Sequence, residues 1–170
     1  MVLVSHDDAT AFARWAGAAL PTEVQFERAE RGSDEGRIYP WGDGIPAPAG
    51  FGNFAGAELK RAFPKWPYSI MEGYEDGFAQ TAPVRSFRPN GFGAYDLSGN
   101  VWEWCSDWYD KAYYAAAPSR DPSGPGSGSA RAARGGSWLD LGVYLRASDR
   151  INGGPTVRSD YLGFRLARSL

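Results

Sequence analysis

Residues 89–109 read PNGFGAYDLSGNVWEWCSDWY, and this stretch decides the fold. In its first half, Gly, Asn and Asp interrupt every apolar run, a composition typical of turns and irregular loops. Its second half, residues 100–109, places three Trp and one Tyr within ten residues. Aromatic side chains of this size dominate the cores that contain them. We therefore expect a turn-rich segment that leads directly into the protein core.

The whole chain has the composition of one loop-rich globular domain, residues 1–170. Hydrophobic residues make up 43% and charged residues 22% of the sequence, which distinguishes it from disordered chains. The 22 Gly and 12 Pro favour irregular structure, and the seven Trp offer large anchors for a core. A chain of this length can bury one sizeable core.

Charge and apolar patterning exclude several classes of function. The formal net charge is −2, so the chain lacks the basic excess that a nucleic-acid partner requires. No apolar run approaches the roughly 20 residues of a membrane-spanning helix. Residues 1–8 show no signal-peptide pattern, and the sequence leaves the compartment open.

The single Cys and the single His limit thiol and metal chemistry. Cys105 cannot form an intrachain disulfide or a cysteine-pair metal site, and His6 cannot build a multi-histidine site. Because Cys105 lies among three Trp, we interpret it as a packed core thiol rather than a nucleophile.

The N-terminal part of the chain predicts two helices. Ser5, which precedes two acidic residues, is typical of a helix start, and Gly17 is typical of a helix end. A second helix is predicted to open at residues 21–22 and to end at Gly32.

The remainder predicts short strands in irregular structure. Strands are predicted at residues 82–87 and 93–97, and a Gly/Ser/Pro-rich loop at 117–130. Residues 131–170 form a strand-rich final section. The predicted fold class is therefore α+β.

Seven blocks of sequence occur in an order that characterises one known family. They are RWAGAALPTEVQFERAERG (14–32), YPWGD (39–43), GNFAG (52–56), EDGFAQTAPV (75–84), PNGFGAYDLSGNVWEW (89–104), RGGSW (134–138) and GFRLAR (163–168). Together they resemble the formylglycine-generating enzyme, or sulfatase-modifying factor, family. The resemblance covers essentially the whole chain and implies a variant of the C-type lectin fold. Members usually carry sequence before the first block, so this chain resembles a shortened version, which leaves a homo-oligomer open.

The resemblance carries a chemical expectation that the sequence does not meet. Copper-using members of the family place a pair of cysteines shortly after the RGGSW block, but here residues 135–150 read GGSWLDLGVYLRASDR. Cu(I) prefers thiolates, which Asp140 does not supply. We therefore expect no copper and no enzymatic activity.

Residues 139–161 are similar instead to the variable region of proteins from diversity-generating retroelements, which carry the same lectin-like fold. There, randomised adenines turn asparagine codons into a set of residues without Lys, Glu, Gln, Met or Trp. These five types are absent from residues 139–161, whereas 22 of them occur in the other 147 positions. The heterogeneous positions, predicted to bind a ligand, are Leu139, Asp140, Leu141, Val143, Tyr144, Asp149, Ile151, Asn152, Gly153, Gly154, Val157, Ser159, Asp160 and Tyr161.

The residue types of this set favour recognition of a protein or a cell-surface group. Tyr offers a large contact area at low entropic cost, while Ser, Asn and Gly adapt their hydrogen bonds, as in antibody paratopes. The alternative is that these are ordinary loop residues of a divergent family member.

The resemblance also implies structural calcium, which takes carboxylate, amide and carbonyl oxygens. The matching ligands are Asn53 and Asp76 with the carbonyls of Phe54 and Phe78, and Asp96 and Glu103 with the carbonyls of Gly99 and Val101. The alternative is that Asp96 and Glu103 cap turns or pair with arginines. Candidates for such pairs are Arg146, Arg150 and Arg165, with Asp107 or Glu103 as partners.

Three functions remain open from the sequence. The favoured one is a ligand-binding module with a diversified C-terminal surface. The others are an oxidoreductase of the sulfatase-modifying-factor type and an accessory domain with neither activity nor diversity.

Overall fold

The computed structural model describes residues 1–33 and 36–168, and it has the α+β architecture that the sequence predicts. The helices are α1 (His6–Trp15), α2 (Glu23–Arg31) and α3 (Ala57–Ala62). The strands are β1 (Trp102–Trp108), β2 (Arg131–Arg134), β3 (Ile151–Gly153) and β4 (Leu162–Gly163), and single 3-10 turns lie at Tyr113–Ala115 and Gly142–Leu145. None of the described helices has the length and apolarity to cross a lipid bilayer.

Both predicted helices are confirmed, and side-chain caps explain where they begin. The Ser5 hydroxyl accepts from the Asp8 backbone N–H at 3.1 Å, and the Asp8 carboxylate accepts from the Ser5 N–H at 2.9 Å. This reciprocal capping box satisfies donors that the first helical turn leaves unpaired. Thr22 and Gln25 form the same kind of pair at the start of α2, with distances of 2.9 and 3.2 Å. Helix α3, by contrast, lies in a region where the sequence predicts none.

The aromatic block of residues 100–109 becomes the central strand of a four-stranded sheet. The strand order is β3-β2-β1-β4, in which β4 runs parallel to β1 and the other pairs are antiparallel. Trp104 and Cys105 in β1 are completely buried, as expected for a packed core thiol. Trp102 and Trp138 are also buried, whereas Trp108 is half-buried beneath the guanidinium of Arg131.

The described residues divide into two compact units that interleave along the chain. The first unit comprises Met1–Glu27, Trp102–Arg134 and Arg150–Leu170, and the second comprises Arg28–Val101 and Gly135–Asp149. The core of the first unit joins α1 to the sheet and consists of Ala9, Ala13, Leu20, Trp102, Trp104, Ala133 and Leu162. The core of the second consists of Tyr39, Ala47, Phe54, Met71, Tyr74 and Leu145. That residues 1–170 act as one domain stays a prediction.

The predicted strands at residues 82–87 and 93–97 are wrong, because side chains rather than neighbouring strands satisfy the backbone there. The Asn100 side chain accepts from the Ala82 N–H at 2.9 Å and donates to the Ala82 carbonyl at 3.3 Å. The Asp96 carboxylate accepts from the Arg85 N–H at 2.6 Å. These side chains occupy backbone groups that a neighbouring strand would otherwise bind, and the segments stay irregular.

A buried ion cluster in the first unit connects α2 with the sheet. Glu23 is 1% exposed and Arg134 is fully buried, with their charged groups 3.6 Å apart. Arg150 donates from Nε and Nη2 to the two Glu23 carboxylate oxygens at 2.8 and 2.6 Å. Arg134 also pairs with Glu27, and the Glu23 N–H donates to Asp107 at 2.9 Å. Within this cluster each buried charge lies beside an opposite charge, which matters because a single unpaired charge is costly to bury in an apolar core.

We expect Glu23→Ala to lower the free energy of unfolding by about 3–5 kcal/mol, because it leaves the buried Arg134 and Arg150 without their shared carboxylate. The matched control is Glu75→Ala, which removes the exposed pair of Glu75 with Arg61 and should cost less than about 1 kcal/mol. Urea denaturation followed by circular dichroism measures both. Equal losses in the two variants would contradict the buried-cluster interpretation.

Candidate ligand surface and metal sites

Part of the predicted ligand set lies in the second unit, on the turn that follows Trp138. The 3-10 turn Gly142–Leu145 exposes about half of the Val143 and Tyr144 surfaces, while Leu145 is fully buried in the core. Gly142 has a φ of +32°, and a Cβ there would lie 2.9 Å from Ile45 Cδ1. The turn therefore presents two apolar side chains from a backbone that the core holds in place.

Asp140 anchors this turn rather than facing outward. Its carboxylate accepts from the Ser137 N–H at 2.9 Å and from the Ser137 hydroxyl at 2.5 Å. Its carbonyl accepts from the Ala55 N–H at 3.0 Å. Leu139, Leu141 and Asp149 are half-buried, and Leu141 packs against the core of this unit. In this group the solvent-facing side chains are thus Val143 and Tyr144.

The other part of the predicted ligand set lies in the first unit, on β3 and the loop after it. These eight residues are Ile151, Asn152, Gly153, Gly154, Val157, Ser159, Asp160 and Tyr161, of which Asn152, Val157 and Asp160 are exposed. Ile151 and Tyr161 pack against the core, and a Cβ on Gly153 would lie 2.9 Å from the Trp104 ring. The Ser159 carbonyl accepts from the Leu3 N–H at 2.9 Å, which fixes the loop.

The first predicted calcium set lies within the second unit and carries an unsatisfied buried oxygen. Asn53 is fully buried; its side-chain N–H₂ donates to the Gln80 carbonyl at 2.7 Å, but Oδ1 has no partner among the described residues. The Asp76 carboxylate accepts from the Phe54 and Phe78 N–H groups at 2.9 and 2.8 Å, and burial raises its pKa. A hard cation would satisfy the buried Asn53 Oδ1, and calcium at this set stays a prediction.

The second predicted set has a carboxylate that an arginine already holds. In the first unit, Glu103 is 6% exposed and its two oxygens accept from Nε and Nη2 of Arg165, the latter at 2.7 Å. Arg165 is thus one of the arginine partners that the sequence offers for Glu103 as the alternative to calcium. In the second unit, Asp96 binds the Arg85 N–H, and the Gly99 carbonyl accepts from the Val101 N–H at 2.9 Å. These contacts explain turn and ion-pair roles for the four residues, and calcium at this set stays a prediction.

We expect calcium to raise the melting temperature and EDTA to lower it, because an ion at Asn53 and Asp76 binds the folded state alone. An excess of about 100 times Kd stabilises by about 2.7 kcal/mol, and each kcal/mol shifts Tm by about 2–4 °C for a chain of this size. Asp76→Asn should abolish most of the calcium response, whereas Asp121→Asn, on an exposed loop, should keep it. Differential scanning calorimetry measures this, and a melt unaffected by either reagent would contradict the site.

Cys105 does not offer the donor that a thiolate-bound copper ion requires. Burial in β1 raises the pKa of its thiol well above the ordinary value, and the residue has no exposed surface. Cu(I) requires accessible thiolates, and residues 135–150 contribute no second cysteine. Within residues 1–33 and 36–168, no group of three His, Cys, Asp or Glu side chains is placed to hold a metal ion. These residues do not fit a copper dithiolate centre.

Comparison with solved structures identifies the class of fold to which this chain belongs. The structure is similar to Treponema denticola variable protein 1, with a TM-score of 0.65 and 29% identity over 87% of this chain and 46% of that one. It is also similar to PvdO from Pseudomonas aeruginosa, with a TM-score of 0.76 and 30% identity over 99% of this chain and 61% of that one. Both likenesses support the fold that the sequence blocks imply.

The family follows from the sequence match. The sulfatase-modifying factor enzyme 1-like domain matches residues 1–170, and the chain belongs to this family. It is 46% identical to the formylglycine-generating enzyme of Streptomyces coelicolor over 98% of its length and 52% of that protein. It is 39% identical to the same enzyme of Thermomonospora curvata over 98% of its length and 54% of that protein. The chain thus spans about half the length of these curated relatives.

The expectation that the chain is not an enzyme is wrong, because these curated relatives contradict it. Proteins that are 39–46% identical to nearly the whole chain carry the name of an enzyme. Residues 135–150 do lack the paired cysteines of the copper-using members. That absence concerns a copper dithiolate centre and does not extend to catalysis in general.

Proposed function

We propose that this chain is a domain of a sulfatase-modifying-factor type enzyme and that each of two surface loops, residues 139–149 of the second unit and residues 150–161 of the first unit, binds polypeptide by itself. The observation that carries this proposal is the combination of exposed contact residues with firmly held backbone in each loop. Rigid loops lose little conformational entropy when they bind a partner.

In the loop of the second unit, Val143 and Tyr144 supply the contact area. A Tyr and a Val half exposed beside a fully buried Leu145 form an apolar contact that does not collapse onto the core. Tyr is enriched among the residues that dominate binding energy at interfaces, because its ring buries a large area with few rotatable bonds. The bonds of Asp140 to Ser137 and Ala55 keep this turn in one conformation.

In the loop of the first unit, Asn152, Val157 and Asp160 supply a more polar contact. β3 pairs with β2, and the Val157 N–H closes a turn on the Gly154 carbonyl at 3.0 Å. An amide and a carboxylate beside one apolar residue suit hydrogen bonding to a peptide backbone or to basic side chains. The two loops therefore offer different chemistries, each to the polypeptide segment that it binds.

The names of the relatives give the reaction class for this proposal. A formylglycine-generating enzyme that modifies sulfatases acts on a polypeptide, and the loops would receive that polypeptide. The described residues of this chain do not fit a copper dithiolate centre, so the proposal assigns no role to copper.

A second candidate is recognition by a diversified surface, which a separate observation favours. The chain is similar in structure to a variable protein, and residues 139–161 contain none of the five residue types that randomised asparagine codons cannot encode. Sequencing of sister copies from one host tests this candidate. Substitutions confined to the fourteen heterogeneous positions support diversification, whereas identical C-terminal sections contradict it.

For the first candidate, we expect peptides selected from a displayed random library to bind the wild-type chain through these loops. Tyr144→Ala should weaken binding at least about tenfold, the usual loss for a central aromatic contact. The matched controls Tyr68→Ala and Val84→Ser remove side chains that are 69% and 74% exposed elsewhere, and should leave affinity within about twofold. Val157→Ser tests the other loop separately, and fluorescence anisotropy gives each affinity.

Two results would contradict this proposal. One is a set of selected peptides whose affinity changes no more in the loop variants than in the two controls. The other concerns catalysis: a sulfatase peptide is incubated with the chain in air and analysed by mass spectrometry. Protein-dependent appearance of formylglycine in the peptide supports the enzymatic part, and an unchanged peptide contradicts it.

A further inference from the structure

A cleft of about 310 Å³ lies in the first unit, and none of its lining residues belongs to the loops described above. It is lined by His6, Thr10, Ala13, Arg14, Ala18, Ala19, Leu20, Ser106 and Arg131. These residues come from α1, from the segment after it and from strands β1 and β2. The volume is at the lower end of the range for small-molecule sites.

The lining of this cleft is cationic, although the whole chain carries a net charge of −2. Arg14 and Arg131 both contribute to it, and none of the nine lining residues is acidic. Burial lowers the pKa of the Arg131 guanidinium, the charges of Asp7 and Asp107 partly offset this, and neither acid lines the cleft. An anion would therefore find two guanidinium groups and no carboxylate on the walls.

Two contacts hold the Arg131 guanidinium in one orientation, and its Nε still lacks an acceptor in the part of the chain that the structure describes. Its guanidinium lies 3.4 Å from the centre of the Trp108 ring, and Nη1 donates to the Ser106 carbonyl at 2.7 Å. Its Nε is buried without an acceptor among the described residues. A guanidinium carries five N–H donors in a rigid fork that matches a carboxylate. Stacking on Trp108 fixes that fork before any ligand binds.

His6 adds a second polar wall. It is 4% exposed, and its Nε2 donates to the Cys105 carbonyl at 3.1 Å, which leaves Nδ1 facing the Thr10 hydroxyl at 3.5 Å. Burial and the Arg131 charge lower the pKa of His6, so the ring is neutral at pH 7. A bound anion would offset the charge of Arg131 beside this ring. The hydroxyls of Thr10 and Ser106 provide further polar groups on the same walls.

The other side of the cleft is apolar. Ala13 and Leu20 belong to the buried core, and Ala18 and Ala19 extend the same surface outward. A fully hydrated polyanion gains nothing from such a wall, whereas a short hydrocarbon group gains about 25 cal/mol for each Å² that it removes from water.

We propose that this cleft binds a small organic carboxylate, with the carboxylate on the guanidinium of Arg131 and its hydrocarbon part against Ala13 and Leu20. The lining residues of the cleft all lie outside residues 139–161, so small-molecule binding at the cleft can be measured apart from polypeptide binding at the loops.

The experiment uses the full chain labelled with 5-fluorotryptophan, because Trp108 lies directly beneath Arg131. The Trp108 resonance is assigned with Trp108→Phe. We expect butyrate to shift this resonance saturably, and its neutral isostere butyramide to bind at least about tenfold more weakly, since it lacks the charge-assisted bond. Inorganic phosphate should also bind more weakly than butyrate. Equal affinity for butyrate and butyramide, or tighter binding of phosphate, would overturn the proposal.

Two variants locate the binding within the cleft. Arg131→Gln should weaken butyrate binding at least about tenfold. Ala18→Leu fills the cleft without removing a charge and should abolish saturable binding, which keeps the test decisive if Arg131→Gln fails to fold. Arg120→Gln, on an exposed loop, is the matched control and should bind butyrate as the wild type does. Butyrate binding that survives Ala18→Leu unchanged would also overturn the proposal.

Discussion

The buried carboxylate of Glu23 is the contact on which the first unit depends. It receives Arg150 through two hydrogen bonds and lies 3.6 Å from the fully buried Arg134, while its own N–H is held by Asp107. In an aqueous setting such pairs contribute little, but here the charges are removed from water and each requires the others. One acidic side chain therefore fixes the start of α2 against β1, β2 and the residue that precedes β3.

In each candidate ligand loop, a residue that is packed on the core lies next to an exposed residue. Leu145 is buried next to Tyr144, and Ile151 packs on the core next to the exposed Asn152. The exposed positions carry no part of the core packing, so changes there leave the framework intact. A protein family can thus keep one scaffold while it alters what the scaffold recognises. Membership in an enzyme family and a surface suited to recognition are compatible for this reason.

Local sequence signals were sufficient where the physical cause is local. The cap at Ser5 and the stop at Gly32 predicted both N-terminal helices, because capping involves residues three or four positions apart. The strands at residues 82–87 and 93–97 were wrong, since the Asn100 side chain takes the Ala82 backbone bonds across 18 residues. No local sequence signal distinguished Glu23 from the other acidic residues. Nothing in its neighbours along the chain indicates a partner 127 residues away.

By itself, the sequence determined the fold class, the family and the fact that no cysteine pair can form, because composition, ordered motifs and residue counts do not depend on coordinates. The tertiary structure decided which polar residues already have hydrogen-bond or ion-pair partners within the chain. It shows that Arg165 binds Glu103, that Ser137 binds the Asp140 carboxylate, and that Arg131 lines a cleft while its Nε has no acceptor among the described residues. These outcomes depend on contacts between residues far apart in the chain, and such contacts exist only once the backbone has closed on itself.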